Sequence, residues 1–140
     1  MAERFSSGGL WEQTYGYSRV VVAGPWWLVA GTTATVGGVV QHVGDAHAQT
    51  VLAFRSALEA LARAGAAEQD VVRTRMYVVG AEHADAVGRA HGEVFGAVRP
   101  VSTLVVVARL IHPDHLVEVE VEAYRPAAPP SAQPDGTGAG

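Results

Sequence analysis

The sequence predicts an α+β fold, a mixed β-sheet with two helices on one face. Three observations carry this. Two stretches have helical spacing of apolar residues, and both end at glycine. At least four β-branched runs lie around them. Their order is strand, strand, short strand, helix, strand, helix, strand, strand, so both helices can cover the same face.

The first two strands are expected at about 18–23 and 26–31, in "RVVVAGPWWLVAG". Gly24-Pro25 between them is a turn dipeptide, so the pair reads as a hairpin. Val39-Val40, after the Gly37-Gly38 turn, is a candidate short strand. The first helix is expected at 46–64. Asp45 can cap it, Val51, Phe54, Leu58 and Leu61 make its apolar face, and Gly65 stops it. "VVRTRMYVV" reads as a strand at 71–79. "EHADAVGRAHGEVFGAV" reads as a helix at 83–95, with Val87, Ala90 and Val94 inward; Gly88 weakens its centre by up to about 1 kcal/mol relative to Ala. The last strands are expected at 102–110 and 116–124, with the "IHPDH" loop between them.

The sheet face away from the helices is the informative one. In "STLVVVARL" both sides of the pleat are apolar, with Leu104 and Val106 on one and Val105 and Val107 on the other. A strand buried on both faces needs a second cover, and two helices supply only one. The expected cover is another copy of the chain. In "LVEVEVEAY", Glu118, Glu120 and Glu122 share a face; in "VVRTRMYVV", Arg73, Arg75 and Tyr77 share one. If the valines face the helices, acidic and basic stripes lie together on the uncovered face and can pair across strands. This stripe reads either as a charged, solvated or subunit-bridging face, or as a cleft in which one glutamate is an acid, base or water holder.

Composition narrows the chemistry. The chain has 140 residues, suited to one domain with one core, and a formal net charge of -4. No basic run exists to neutralise phosphates, so nucleic acid is not an expected partner. There is no Lys and therefore no lysine Schiff base. There is no Cys, hence no thiolate nucleophile, disulfide or thiolate metal site. All ten basic residues are Arg, a permanently charged planar fork. The longest apolar stretches are about half the ~20 residues of a membrane span, and no signal-peptide pattern opens the chain, so no membrane and a cytoplasmic location are expected. Residues 1–9 read as a flexible segment, 10–125 as the folded domain, and 126–140 as a disordered Pro/Ala/Gly-rich tail.

The stretches "GYSRVVVAGPWWLVAGTTA", "AQTVLAFRSALEALARAGAAEQDVVRTRMYV" and "RPVSTLVVVARLIHPDHLVEVEVEAY", in this order and spacing, resemble the RidA family, also called YjgF. The resemblance covers about residues 16–124. It implies a chorismate-mutase-like α+β fold and a homotrimer whose three sheets form a central barrel with the helices outside. It implies hydrolysis of reactive enamines and imines, such as 2-aminoacrylate, to 2-keto acids and ammonia, in clefts between subunits and without a cofactor.

Carried over residue by residue, the family's pocket Tyr falls on Tyr17. Its Ser-Gly-Gln after the hairpin becomes Ala30-Gly31-Thr32, and its Cys on the penultimate strand becomes Leu104. Its strand Glu, which helps place or activate water, falls on Glu122. Its carboxylate-gripping Arg falls on Ser102. The substrate-binding set is thus Tyr17, Gly31, Thr32, Arg75, Ser102 and Thr103, with Glu122 catalytic.

The Ser102 departure matters most. A hydrogen bond to a charged group contributes about 1.5–3 kcal/mol against about 1 for a neutral one, so a small free 2-imino acid loses more than about tenfold in affinity. Arg75 or Arg99 can restore the charge only by turning into the cleft. The expected substrate is an enamine, imine or related unsaturated metabolite that lacks a carboxylate or is larger. A non-catalytic trimeric binding module and a pathway-specific, non-deaminase enzyme of specialised metabolism are the alternatives. Trp26-Trp27 reads as hairpin packing, and Thr33 and Thr35 as turn or pocket residues. His112 and His115 read as loop residues without a third metal partner. His91 reads as a helix-surface residue or one near the cleft.

Overall fold

The computed structural model describes residues 1–126. Its elements are β1 (Glu3–Phe5), α1 (Leu10–Tyr15), β2 (Val20–Ala23), β3 (Trp26–Thr33), β4 (Thr35–Val36), β5 (Val39–Val40), α2 (Ala46–Arg63), β6 (Val71–Val79), α3 (Ala84–Phe95), β7 (Val101–Val107) and β8 (Val117–Tyr124). The six-stranded sheet runs β1-β2-β3-β8-β6-β7, and β4 pairs only with β5. Every neighbouring pair in the large sheet is antiparallel except β6 and β7, which are parallel and joined through α3.

Both long helices lie on one face, and the reason is visible in the strands. Val117, Val119, Val121 and Ala123 of β8 and Thr74, Met76 and Val78 of β6 are all buried. They meet Ala53, Phe54, Ala57 and Leu61 of α2 and Val87, Val94 and Phe95 of α3 in one core. Burying the Val, Leu, Phe and Met side chains among them contributes roughly 1.5–3 kcal/mol each, which holds both amphipathic helices down. Asp45 caps α2 as expected, its carboxylate accepting from the Ala48 N–H at 2.9 Å. At the other end Gly65 takes a left-handed φ of 96°, which only glycine adopts freely.

The chain's first residues differ from expectation. Residues 1–9 read as flexible, yet Glu3–Phe5 pairs antiparallel with Val20–Val22. Phe5 packs against the core, which gives three residues enough reason to order. The short helix α1 follows. The carboxylate of Glu12 folds back onto the Ser7 N–H and hydroxyl. Burial would raise the Glu12 pKa, but the Ser7 hydrogen bonds bring it below the usual value. Strand β7 also ends earlier than expected, at Val107, and residues 108–116 form the loop. Beyond Pro126 the expected tail lies outside the described residues.

Among the described residues, nothing covers the opposite face of the sheet. On that face of the edge strand β7, Val101 is 61% exposed and Val105 43% exposed, and Trp26 and Leu28 are also exposed. Among the described residues, no helix is long and apolar enough to cross a membrane.

Candidate functional site

The uncovered face carries the charged stripe. Cross-strand register places Arg73 beside Glu122, Arg75 beside Glu120 and Tyr77 beside Glu118. The side chains then connect diagonally. Arg75 Nη1 donates to Glu122 Oε1 at 2.7 Å and approaches Glu120 Oε2 at 3.4 Å. Arg73 Nε lies 3.6 Å from Glu122 Oε2. The Tyr77 hydroxyl donates to Glu120 Oε1 at 2.7 Å; that bond, with burial, pushes the phenol pKa up. Glu122 is therefore a carboxylate flanked by two guanidinium groups. Thr103 stands beside Arg75 in the parallel β6–β7 ladder and so belongs to this face.

A second group joins the stripe at Glu118. The β3–β8 register shifts between Val29 and Thr32, placing a bulge at Ala30-Gly31. Arg19 Nη1 donates to the Gly31 carbonyl at 2.8 Å and lies 3.3 Å from Thr32 Oγ1. The Thr32 hydroxyl donates to the Ala30 carbonyl at 2.8 Å, and Thr32 is buried. In the single chain Thr32 thus shapes the bulge. Tyr17 is exposed, and its ring sits under the Arg19 guanidinium, 5.9 Å from centroid to Cζ. The Glu118 carboxylate fills the space where a side chain on Gly31 would stand. Glu118, one of the three stripe glutamates, and Arg19, which sequence reasoning passed over as a functional group, thereby connect Tyr17, Gly31 and Thr32 to the stripe. Arg19 sits in the quoted "GYSR" motif, but only the fold shows what it reaches.

Burial pushes the Glu118 carboxyl above the usual carboxylate range; neighbouring Glu120 adds to this, and Arg19 opposes it. A raised carboxyl pKa was expected somewhere in the stripe, and it falls on Glu118. A carboxyl whose folded pKa exceeds its unfolded value holds its proton more readily when folded, so ionising it costs stability. That cost is absent below the unfolded pKa and grows as pH rises from there through the folded pKa. Glu118→Gln should therefore raise the melting temperature at pH 8 and leave it unchanged near pH 4. Equal melting of variant and parent at both pH values would remove the case for a perturbed Glu118.

Ser102 goes elsewhere. It pairs with Thr74 in the parallel ladder, on the helix-covered side. The alternation that puts Thr103 beside Arg75 puts Ser102 behind the sheet. Its hydroxyl accepts from Thr74 Oγ1 at 2.8 Å, and Thr74 Oγ1 is 2.7 Å from His91 Nε2. His91 is half-buried between Phe54 and Phe95. Of its two sequence readings, the helix-surface one is corrected: the Thr74 hydroxyl and two aromatic rings draw the imidazole in. Within one chain Glu122 and Ser102 therefore lie on opposite faces of the sheet and do not share a pocket.

Two hollows exist. The larger, about 550 Å³, is lined by Trp27, Tyr124 and Arg125 at the hairpin end. The smaller, about 380 Å³, is lined by His91, Phe95 and Arg99 among others. Trp27 donates its indole N–H to the Ala64 carbonyl at 2.8 Å, while Trp26 makes an edge contact with Tyr124, so both serve packing. His115 Nε2 bonds Thr35 Oγ1 at 2.9 Å, and Thr35 in turn bonds Thr33. Among the described residues, no three His, Cys, Asp or Glu side chains are grouped to hold a metal ion.

The profile of the Endoribonuclease L-PSP family matches residues 11–125. The chain belongs to this family, also known as YjgF/RidA. An uncharacterized Streptomyces coelicolor protein, SCO2049, is 48% identical over 124 residues, covering 89% of this chain and 92% of that protein. Rv2704 of Mycobacterium tuberculosis is described as a member of the highly conserved YjgF/YER057c/UK114 family. Its crystal structure is 43% identical, covers 89% of this chain and 100% of its own, and superposes with a TM-score of 0.80. PA3499 of Pseudomonas aeruginosa, a protein of unknown function, is 27% identical over 89% of this chain and 92% of its own, with a TM-score of 0.75. The YjgF/RidA fold is thus a mixed sheet with its long helices on one face, as expected from the sequence.

Proposed function

We propose that the protein is a YjgF/RidA-type hydrolase acting on an enamine, imine or related unsaturated small molecule, at a cleft completed by a neighbouring copy of the chain. The observation that carries this reading is the separation of Glu122 from Ser102 across the sheet. One chain holds the two halves apart, and its uncovered apolar face needs a cover. A homotrimer lets the stripe of one copy approach the β7 mouth of the next. The reaction adds water to the C=N carbon, passes a proton to nitrogen, breaks the C–N bond and releases ammonia and a carbonyl product. Glu122 orients the water. Glu118, with its raised pKa, carries the proton. The backbone near Gly31 and the Ser102 or Thr103 hydroxyl polarise the substrate. No cofactor is needed, and a cytoplasmic location suits such a metabolite.

The substrate is not a small free 2-imino acid, because Ser102 is a neutral single donor where a cation would grip a carboxylate. With 2-aminoacrylate generated in situ, keto-acid release should run more than about tenfold below that of a family member carrying the Arg, the difference between charged and neutral hydrogen bonds. Equal rates would refute this substrate assignment.

A second reading has its own support. Glu122 is held by Arg75 and Arg73, and such an ion pair suits a non-catalytic trimeric module that binds a small molecule or partner. A non-deaminase enzyme of specialised metabolism is the third. Ribonuclease action, suggested by the family's name, is disfavoured by the net charge of -4.

A further inference from the structure

The chain of hydroxyls behind the sheet has a direction. Thr74 Oγ1 donates to Ser102 Oγ, and a hydroxyl has one proton to donate. Its 2.7 Å bond with His91 must then be donated by Nε2–H. Ser102 accepts at the end of this sequence and keeps its own O–H for something else. Thr74 is fully buried, so its hydroxyl has no competing water, while Ser102 is exposed at the sheet edge. The His91 ring is fixed by an edge contact to Phe54, centroids 5.5 Å apart, and a tilted contact to Phe95 at 5.0 Å. Successive donors in such a chain polarise one another, which makes the last O–H a better donor than a lone serine. The chain is uncharged from end to end, because burial lowers the His91 pKa and keeps the ring neutral near pH 7.

We infer that Ser102 is a specificity-determining hydrogen-bond donor for an uncharged carbonyl oxygen, such as that of an amide or ester, and that Thr74 and His91 are positioning residues that set the direction of its hydroxyl. This deepens the proposed function and rests on it only in placing the ligand at the β7 mouth. A neutral donor suits a neutral acceptor, since it adds a bond without requiring an ionic group to be stripped of water. The rival is Arg99, which lines the adjoining hollow with His91 and would favour a carboxylate. Arg99 has a structural role of its own. With φ 57° it is the left-handed residue that closes α3, and its N–H donates to the Phe95 carbonyl at 2.8 Å.

The test is direct binding, by calorimetry or ligand-observed NMR, of pyruvamide and pyruvate, which share a skeleton and differ in charge. The intact protein should bind pyruvamide about tenfold or more tighter, the scale set by one hydrogen bond. Ser102→Ala should erase that preference. Thr74→Val and His91→Phe should weaken pyruvamide and leave pyruvate unchanged, whereas a merely structural role would weaken both equally. Arg99→Gln should leave the ratio intact. If Thr74→Val does not fold, His91→Phe and Ser102→Ala carry the test. Preference for pyruvate, a preference surviving Ser102→Ala, or binding of neither probe overturns the inference. Because turnover is not read, a pyruvamide-selective protein that hydrolyses no imine would sink the enzyme reading alone. An imine hydrolase that favours pyruvate would sink this inference alone.

Discussion

Glu122→Gln should lower turnover of the cognate imine by about 10²–10⁴-fold, the usual range for removing a positioned acid–base group. The amide keeps the shape of the carboxylate and can still accept a hydrogen bond from Arg75. It cannot hold an attacking water as strongly, and it takes the carboxylate partner from Arg73 while Arg75 keeps Glu120 at 3.4 Å. The effect should fall on kcat more than on KM, because the lost interaction belongs to the reacting water and not to substrate grip. A melting curve run alongside separates chemistry from folding. If the variant folds and every activity or ligand response is untouched, the binding-module reading takes over.

Ser102→Arg is the second large effect, in the opposite direction. The exposed edge position leaves room for a long side chain. A guanidinium there restores the two-pronged grip on a carboxylate. Hydrolysis of 2-aminoacrylate should rise more than about tenfold in kcat/KM, following the difference between charged and neutral hydrogen bonds. No gain would mean that the β7 mouth does not receive the substrate carboxylate, and the residue-by-residue transfer from the family would fail at its most informative point.

Much of this architecture was legible because the long elements carry strong periodic signals. Strand β6 spans Val71–Val79, as its alternating Arg73, Arg75 and Tyr77 announced, and α2 starts one residue after its Asp45 cap. The charged stripe on β8 was legible from alternation alone, whereas its pairing with β6 depends on strand order. Other features exist only in three dimensions. Three residues of β1 have no detectable period and order because Phe5 finds the core. The bulge at Ala30-Gly31 is a shift between strands, so the space it gives Glu118 could not be read from either strand. The opposite placement of Ser102 and Glu122 depends on the β6–β7 register, which no single strand encodes. His91 was ambiguous because one helix turn cannot reveal that a buried threonine waits beneath it.

A shared cleft requires that the uncovered face be covered by another copy. Val101 and Val105 on β7, with Leu28 and Trp26 across the sheet, leave apolar surface exposed that a single copy does not bury. The direct measurement is mass in solution at micromolar concentration, by sedimentation or light scattering. Three copies of the 14.6 kDa chain should move as one particle, with no single-chain species at that concentration. A stable single-chain particle would contradict the shared cleft and the reaction assigned to it.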